Sequence, residues 1–416
     1  MTSSAGVEHA RVFVTDVHWW EDRAAGTVNA CQAGVEQTLA QVRRWHPHLS
    51  SASSGQLRTL SIEDGRLVQA REHGFDTWQA FAGYLGALSR GERREPFLDV
   101  FEAMKSGRVG NARRQLASHP ELLRAWGTNR TTLLNLAVSL AGAGHDRLPE
   151  DAWALLDHII QGSDVTLGNH RGWTPLHQAS TPAMIDRLIA DGADVRAEAH
   201  GSGGTALASN LFWGNRASAE ALAARAIVPN NLRIAAALGS ADLVDACFMP
   251  NGELTPEAHA GRGFYRPHVG FPIWQPSGSR QEVLDEALTY AARNGRVRVL
   301  DTLVARGANV NGDPYRGTPL AWAAWANQVD TVEWLLAHGA EVNRQATFGG
   351  PGHGNGITAL HLAAQQNHVE AGRVLLDAGA DPRIEEHNYH SSPAGWAAHF
   401  KSQAVTDLIA SHSGRR

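Results

Sequence analysis

The chain has 416 residues, a formal net charge of −5 and two cysteines, Cys31 and Cys247. The negative balance argues against a nucleic-acid binder, and two thiols exclude a disulfide framework and fit a reducing compartment. No apolar run approaches the ~20 residues of a membrane span, and the first ten residues, with Glu8 and His9, lack the apolar core of a secretion signal. The composition predicts a soluble, cytoplasmic protein, long enough for two or more compact domains.

Residues 1–95 carry no repetition. Trp19 to His46 reads as one amphipathic helix, with Val28, Val35, Leu39, Val42 and Trp45 near helical spacing. Pro47 ends it. Ser50 to Gly55 reads as a small-polar connector. Ser61-Ile62-Glu63-Asp64 is a capped helix start, running to His73 with Gly74 as its stop. Asp76-Thr77-Trp78 begins a third helix through Leu88.

From about residue 96 the chain begins to repeat itself. Phe101 to Gly107 and Thr131 to Ala137 are degenerate units. Thr174-Pro175-Leu176-His177 leads to Leu188-Ile189-Ala190-Asp191-Gly192-Ala193-Asp194. Thr205-Ala206-Leu207-Ala208 opens another unit, and Ala235-Ala236 matches Ala291-Ala292 at a step of 56. Thr318-Pro319-Leu320-Ala321 leads to Trp334-Leu335-Leu336-Ala337-His338-Gly339-Ala340. Thr358-Ala359-Leu360-His361-Leu362-Ala363-Ala364 leads to Val374-Leu375-Leu376-Asp377-Ala378-Gly379-Ala380-Asp381. The closing glycines Gly307, Gly339 and Gly379 are spaced by 32 and 40 residues, and Ser392-Pro393-Ala394 follows Thr358 by 34. Eight or nine units are expected between about 96 and 414.

Each element has a physical role. Thr or Ser caps the free N–H groups of a first helix. Proline at the first helical position costs no hydrogen bond. Paired alanines let helices approach closely. Glycine takes the left-handed angle that ends the second helix.

These motifs resemble the ankyrin repeat, whose period is about 33 residues and whose signature is T-P-L-H-x-A. The resemblance implies an all-α fold, an ankyrin-repeat solenoid of stacked helix-turn-helix units over 96–416. The run Ala70 to Trp78 resembles a leader that precedes ankyrin arrays in many bacterial proteins. Arrays need end caps to hide an apolar face, so 1–95 is expected to form an N-terminal helical cap. Against the repeat period, two stretches are oversized. One is 249–281, whose five prolines rule out a helix through most of it and whose aromatics argue for an ordered, folded-back loop. The other is 344–357, an enlarged glycine-rich loop.

In the ankyrin arrangement, first helices and loop fingers line one concave face. The register places Tyr290, Trp322, Leu362 and Trp396 at one position, with Arg293, Trp325, Gln365 and His399 one turn further on. Tyr290, Arg293, Trp322, Trp325, Gln365, Trp396 and His399 are therefore candidate ligand-binding residues. Tyr265, His268 and Trp274 from the first insertion and His353 from the second join them, since long ordered loops are often functional. The competing reading of Trp322 and Trp396 is that they wedge between repeats as core.

His177 and His361 belong to the T-P-L-H motif, where the imidazole ties adjacent loops. The pairs His46/His48 and His387/His390 have spacings that a metal could use, but neither cysteine nor carboxylate completes them, so no metal is assigned. Asp285 and Glu286 are expected near the start of a first helix, serving its dipole. Nucleophile-elbow, zinc-protease, Walker and dinucleotide motifs are lacking, so no catalytic residue or cofactor is assigned. The resemblance implies a non-enzymatic scaffold for a protein or peptide partner, and the charge and hydropathy given above add the expectation of no nucleic acid and no membrane. The alternative is a small-molecule or catalytic pocket on the concave face, covered by the two loops. A third is an oligomer-forming protein that assembles through its N-terminal helices.

Overall fold

Short polar side chains open helix after helix along this chain, and left-handed residues close them. The computed structural model describes residues 14–73, 75–94, 97–127, 131–142, 150–169, 172–199, 203–225, 228–262, 276–314, 317–347 and 355–413. The fold is all-α, with one two-stranded hairpin among the described residues. It comprises two compact units, Met1–Ala197 and Glu198–Arg416.

The first unit begins with α1 (Val17–Gln32), α2 (Glu36–Trp45), α3 (Ser54–Leu57), α4 (Ile62–Glu72) and α5 (Trp78–Ser89). The single helix expected over Trp19–His46 is two helices. Gly34 takes φ +72°, and Gly34 N–H and Val35 N–H close back on the carbonyls of Cys31 and Ala30 at 2.9 and 3.0 Å. Periodicity concealed the break because both helices bury residues in one cluster: Val28 and Cys31 from α1, Leu39 and Val42 from α2. The expected connector at Ser50–Gly55 contains the start of α3, where Ser53 and Gln56 form a reciprocal capping box. Ser61 and Thr77 cap α4 and α5 as their sequences imply. Trp20, Ala70, Phe81 and Leu85 form a second core, and α4 lies so close to α1 that a Cβ at Gly65 would sit 2.6 Å from the Ala24 carbonyl oxygen.

Helix pairs follow: α6 (Leu98–Lys105) with α7 (Val109–Ser118), α8 (Leu133–Gly142) with α9 (Glu150–Gly162), and α10 (Pro175–Gln178) with α11 (Pro182–Ala190). A 3₁₀ turn, Pro120–Arg124, packs beside α7.

The second unit is an ankyrin-repeat stack of six pairs. They are α12 (Ala206–Phe212) with α13 (Arg216–Ala223), α14 (Leu232–Leu238) with α15 (Ala241–Ala246), and α16 (Arg280–Arg293) with α17 (Val297–Ala305). Then come α18 (Pro319–Trp325) with α19 (Val329–Ala337), α20 (Ala359–Gln366) with α21 (Val369–Asp377), and α22 (Pro393–His399) with α23 (Gln403–Ser413). From α14 onward first helices pack on first helices and second helices on second helices. The chain reverses between the helices of each pair at one recurring left-handed residue: Gly214, Gly239, Gly295, Asn327, Asn367 and Lys401, with φ from 52 to 73°. Thr205, Asn231, Thr318 and Ser392 cap their helices through the side-chain oxygen. At α20 the motif histidine joins the cap: Thr358 N–H donates to His361 Nδ1 at 3.0 Å, and His361 Nε2 reaches the Ser391 carbonyl at 3.1 Å. Loops are tied as expected, and burial pushes the His361 pKa down to about 4.

Asparagines link successive units. Asn311 and Asn343 each donate to a glycine carbonyl (Gly339, Gly379) and accept a backbone N–H (Glu341, Asp381) of the following turn. Before α16 an N-terminal extension of that helix does the same work. Gln281 donates to the Gly307 carbonyl at 2.8 Å, and Asp285 accepts the Asn309 N–H at 2.7 Å. Asp285 and Glu286 are thus not at a helix start, because α16 begins at Arg280 and both are buried inside it. The enlarged loop after Arg344 begins and ends as an antiparallel hairpin, β1 (Ala346–Thr347) with β2 (Asn355–Ile357). Asp313 pins it by accepting from Thr347 N–H at 2.7 Å and Thr347 Oγ1 at 2.9 Å.

Candidate functional site

The stripe that the repeat register defines, four and seven positions after Thr205, Thr318, Thr358 and Ser392 and after Glu286 inside α16, divides in two. One half centres on Arg293. Its guanidinium carbon lies 3.3 Å from the Trp322 ring centroid, 4.4 Å from that of Phe212 and 5.6 Å from that of Tyr290. It also donates to the Phe212 carbonyl. Tyr290, Arg293 and Trp322 are no more than 2% exposed. Trp322 meets Trp325 edge-on at 5.5 Å, and Trp325 lies 6.1 Å from Trp213. Trp213 and Trp325 are half-buried, and they form the open rim of this cluster. On the adjoining α20, Gln365 occupies the position equivalent to Trp325. Its Oε1 is buried and has no hydrogen-bond partner among the described residues. His368 interacts with the Trp325 backbone, and burial holds its pKa below the usual imidazole value.

The other half lies on the last repeat. Trp396 is 7% exposed and packs 5.4 Å from His361 and 5.8 Å from Phe400. His399 is exposed and meets Phe400 edge-on at 4.8 Å. Tyr265, His268, Trp274 and His353 lie outside the described residues.

Two aromatics of this cluster, Phe212 and Trp213, are not among the residues singled out from the sequence. Phe212 stands seven residues after Thr205, so the register contained it. Trp213, one residue later, was not in that register. A second group flanks the insertion at its two ends. Arg262 donates to Glu286 Oε2 at 2.5 Å, to Glu282 Oε1 at 2.6 Å and to the Ser277 carbonyl at 2.6 Å. Arg233 approaches Glu286 Oε1 at 3.4 Å and donates to the Gly261 carbonyl. Arg233, Arg262 and Glu286 are all buried. The backbone of Gly261 also abuts Gly203 in the turn before α12. Nothing in the local pattern marks Arg233 as the partner of a carboxylate 53 residues away.

The finger before α22 is built around a buried carboxylate. Glu386, fully buried, accepts N–H bonds from Asn388 at 2.7 Å and Tyr389 at 2.8 Å. His387 N–H donates to the Asn355 carbonyl at 2.7 Å, which joins finger to hairpin. Tyr389 stands at the tip, 67% exposed. The His46 ring contacts Asp64 at 3.1 Å in the first unit. Among the described residues no three His, Cys, Asp or Glu side chains gather in a way that could hold a metal.

Comparison with known proteins places the fold. The chain carries ankyrin repeats. The family described as "Ankyrin repeats (3 copies)" matches residues 232–346, "Ankyrin repeats (many copies)" matches 320–376, and "Ankyrin repeat" matches 171–199. Ankyrin repeat domain-containing protein SAT10 of Stachybotrys chartarum is 36% identical over 103 residues, 24% of this chain and 5% of that protein. Human Ankyrin repeat and SOCS box protein 3 is 39% identical over 95 residues, 22% of this chain and 17% of the relative. Ankyrin repeat and KH domain-containing protein mask-1 of Caenorhabditis elegans is 39% identical over 134 residues, 32% and 5% respectively. The chain thus spans 5 to 17% of the length of these relatives. All three are eukaryotic, and they lend no support to the bacterial type or the leader expected from residues 70–78. No helix among the described residues is long and apolar enough to cross a membrane.

Proposed function

We propose that the 198–416 array is a non-enzymatic scaffold that takes a protein or peptide partner on its first-helix face and fingers. The observation that carries this reading is the half-buried pair Trp213 and Trp325, resting on a fully packed Arg293 cluster. Large rigid aromatics that keep one face open and lose little entropy on contact are the usual energetic centres of interfaces. The exposed Tyr389, His399 and Phe400 extend the surface along the last repeat. Residues 1–95 act as a helical cap for the repeats that begin at about residue 96, and the two free, buried cysteines fit work in a reducing cytoplasm.

A small ligand is the second reading. It is favoured by the unpartnered Gln365 oxygen on the helix next to Trp325, since concave sites combine apolar walls with a few oriented polar groups.

Affinity capture with the full chain and with a Trp213→Ala/Trp325→Ala variant separates these readings. The scaffold reading predicts specific proteins held by the parent and lost from a still-folded variant. An identical capture profile for both would overturn it. A change in tryptophan fluorescence with small metabolites alone would favour the second reading.

A further inference from the structure

We infer that the outer surface of α7, in the first unit, is a docking surface for a short acidic segment of another protein. Five cations lie on one helical hairpin and the 3₁₀ turn that follows it. Lys105 closes α6, Arg108 precedes α7, Arg113 and Arg114 lie on α7, and Arg124 closes the 3₁₀ turn packed beside it. All five are exposed. Among the described residues none of them forms an ion pair with a carboxylate. Exposed or half-exposed arginines elsewhere commonly do: Arg66 with Glu21, Arg187 with Asp157, Arg306 with Asp245, Arg383 with Asp381. The acids nearest along the chain are Glu102, three positions before Lys105, and Glu121, three before Arg124, and Glu121 is bound to the His119 ring at 3.1 Å.

Three of the guanidinium groups are instead held by neutral acceptors. Arg108 Nε donates to Ser106 Oγ at 3.0 Å, Arg113 Nη2 to the Asp151 carbonyl at 2.8 Å, and Arg114 to Asn111 Oδ1. Such bonds order the side chain without cancelling its charge. Spacings of three and four place Gly110, Arg113, Arg114 and Ala117 on one helix face, and all four are exposed. The two arginines therefore stand between residues too small to block an approaching chain. The N-terminus of α7 adds its own positive potential beside Arg108.

The chemistry of the partner follows from charge and size. Four of the five cations are arginines, whose planar fork matches a carboxylate in bidentate fashion. The chain as a whole carries net charge −5, so a long polyanion or an anionic membrane plane reaching past the patch meets repulsion. The ten residues of α7 span roughly 15 Å, about five residues of extended peptide. A short run of Asp and Glu fits both limits.

The test uses the full chain and fluorescein-labelled hexaglutamate, read by anisotropy at about 20 mM and about 300 mM salt. The expected result is binding at low salt, weakened at high salt. It should fall about tenfold or more in Arg113→Glu/Arg114→Glu, with loss mainly through slower encounter. Arg373→Glu/Arg383→Glu, the same charge change in the second unit, should bind as the parent does. Three results would overturn the inference: no binding of hexaglutamate by the parent at low salt, equal loss in both variants, or tighter binding to duplex DNA or phosphatidylserine vesicles than to hexaglutamate. Circular dichroism of each variant keeps loss of fold distinct from loss of charge.

Discussion

The Arg293 guanidinium carbon lies 3.3 Å from the Trp322 ring centroid, inside a box completed by Phe212 and Tyr290. A cation that the register places on the candidate stripe is thus packed among the rings of the same stripe. Desolvated pairs of this kind contribute about 2 kcal/mol or more each. Neighbouring positions on one helix then differ in kind. Trp322 is an internal strut, and Trp325, three residues on, keeps an open face.

Trp322→Ala should cost about 3–5 kcal/mol of stability, because it removes a buried indole and opens a cavity against Arg293. Trp325→Ala should cost about 1 kcal/mol. Urea unfolding of both variants checks the contrast. Equal losses would mean that Trp325 is core and not a contact residue.

Glu286→Ala should destabilise the second unit by about 3–5 kcal/mol, since it leaves Arg233 and Arg262 buried without their shared carboxylate. Hydrogen exchange should report faster opening at α14 and α16 than at α20 and α22. Uniform acceleration across the unit would show that this network is not local.

His361 makes stability depend on pH. Its folded pKa is about 4 against an ordinary value of 6.5, so between these values the unfolded chain binds more protons. Stability is complete above pH 6.5 and declines as pH falls toward 4, by up to about 3 kcal/mol. In His361→Gln the decline over that window should shrink. An unchanged slope would assign it to other groups.

Glu386→Ala should release the finger without unfolding the array. The N–H groups of Asn388 and Tyr389 lose their shared acceptor, at a cost of about 1–3 kcal/mol confined to the loop. Their exchange rates should rise while those of α20 and α21 hold. Protection retained at Tyr389 would contradict the role given to Glu386.

The repeat was legible because each of its parts is local. A capping Thr, a following Pro, paired alanines and a left-handed Gly or Asn act within a few residues, and a fixed period makes them audible. Gly34 was passed over because the apolar spacing of α1 continues into α2, so the break shows only in backbone angle. The N-terminal extension of α16 was missed for a related reason: Ser279 supplies the cap where the repeat register would place one at Glu286. The stripe itself could be read by counting from each cap, and that count also reaches Phe212. Which of its members are packed and which stay open depends on contacts such as Phe212 with Trp322, 110 positions apart, that no period encodes. Arg233 and Arg262 likewise meet at Glu286 through long-range packing alone.

The first-helix face is tested most directly by a photo-crosslinking amino acid, p-benzoylphenylalanine, placed at Gln365 in the full chain inside cells, with Arg373 on the second helix as the comparison position. The scaffold account predicts a discrete covalent adduct with another protein at Gln365 and none at Arg373. Adducts at Arg373 alone, or at neither position, would contradict it.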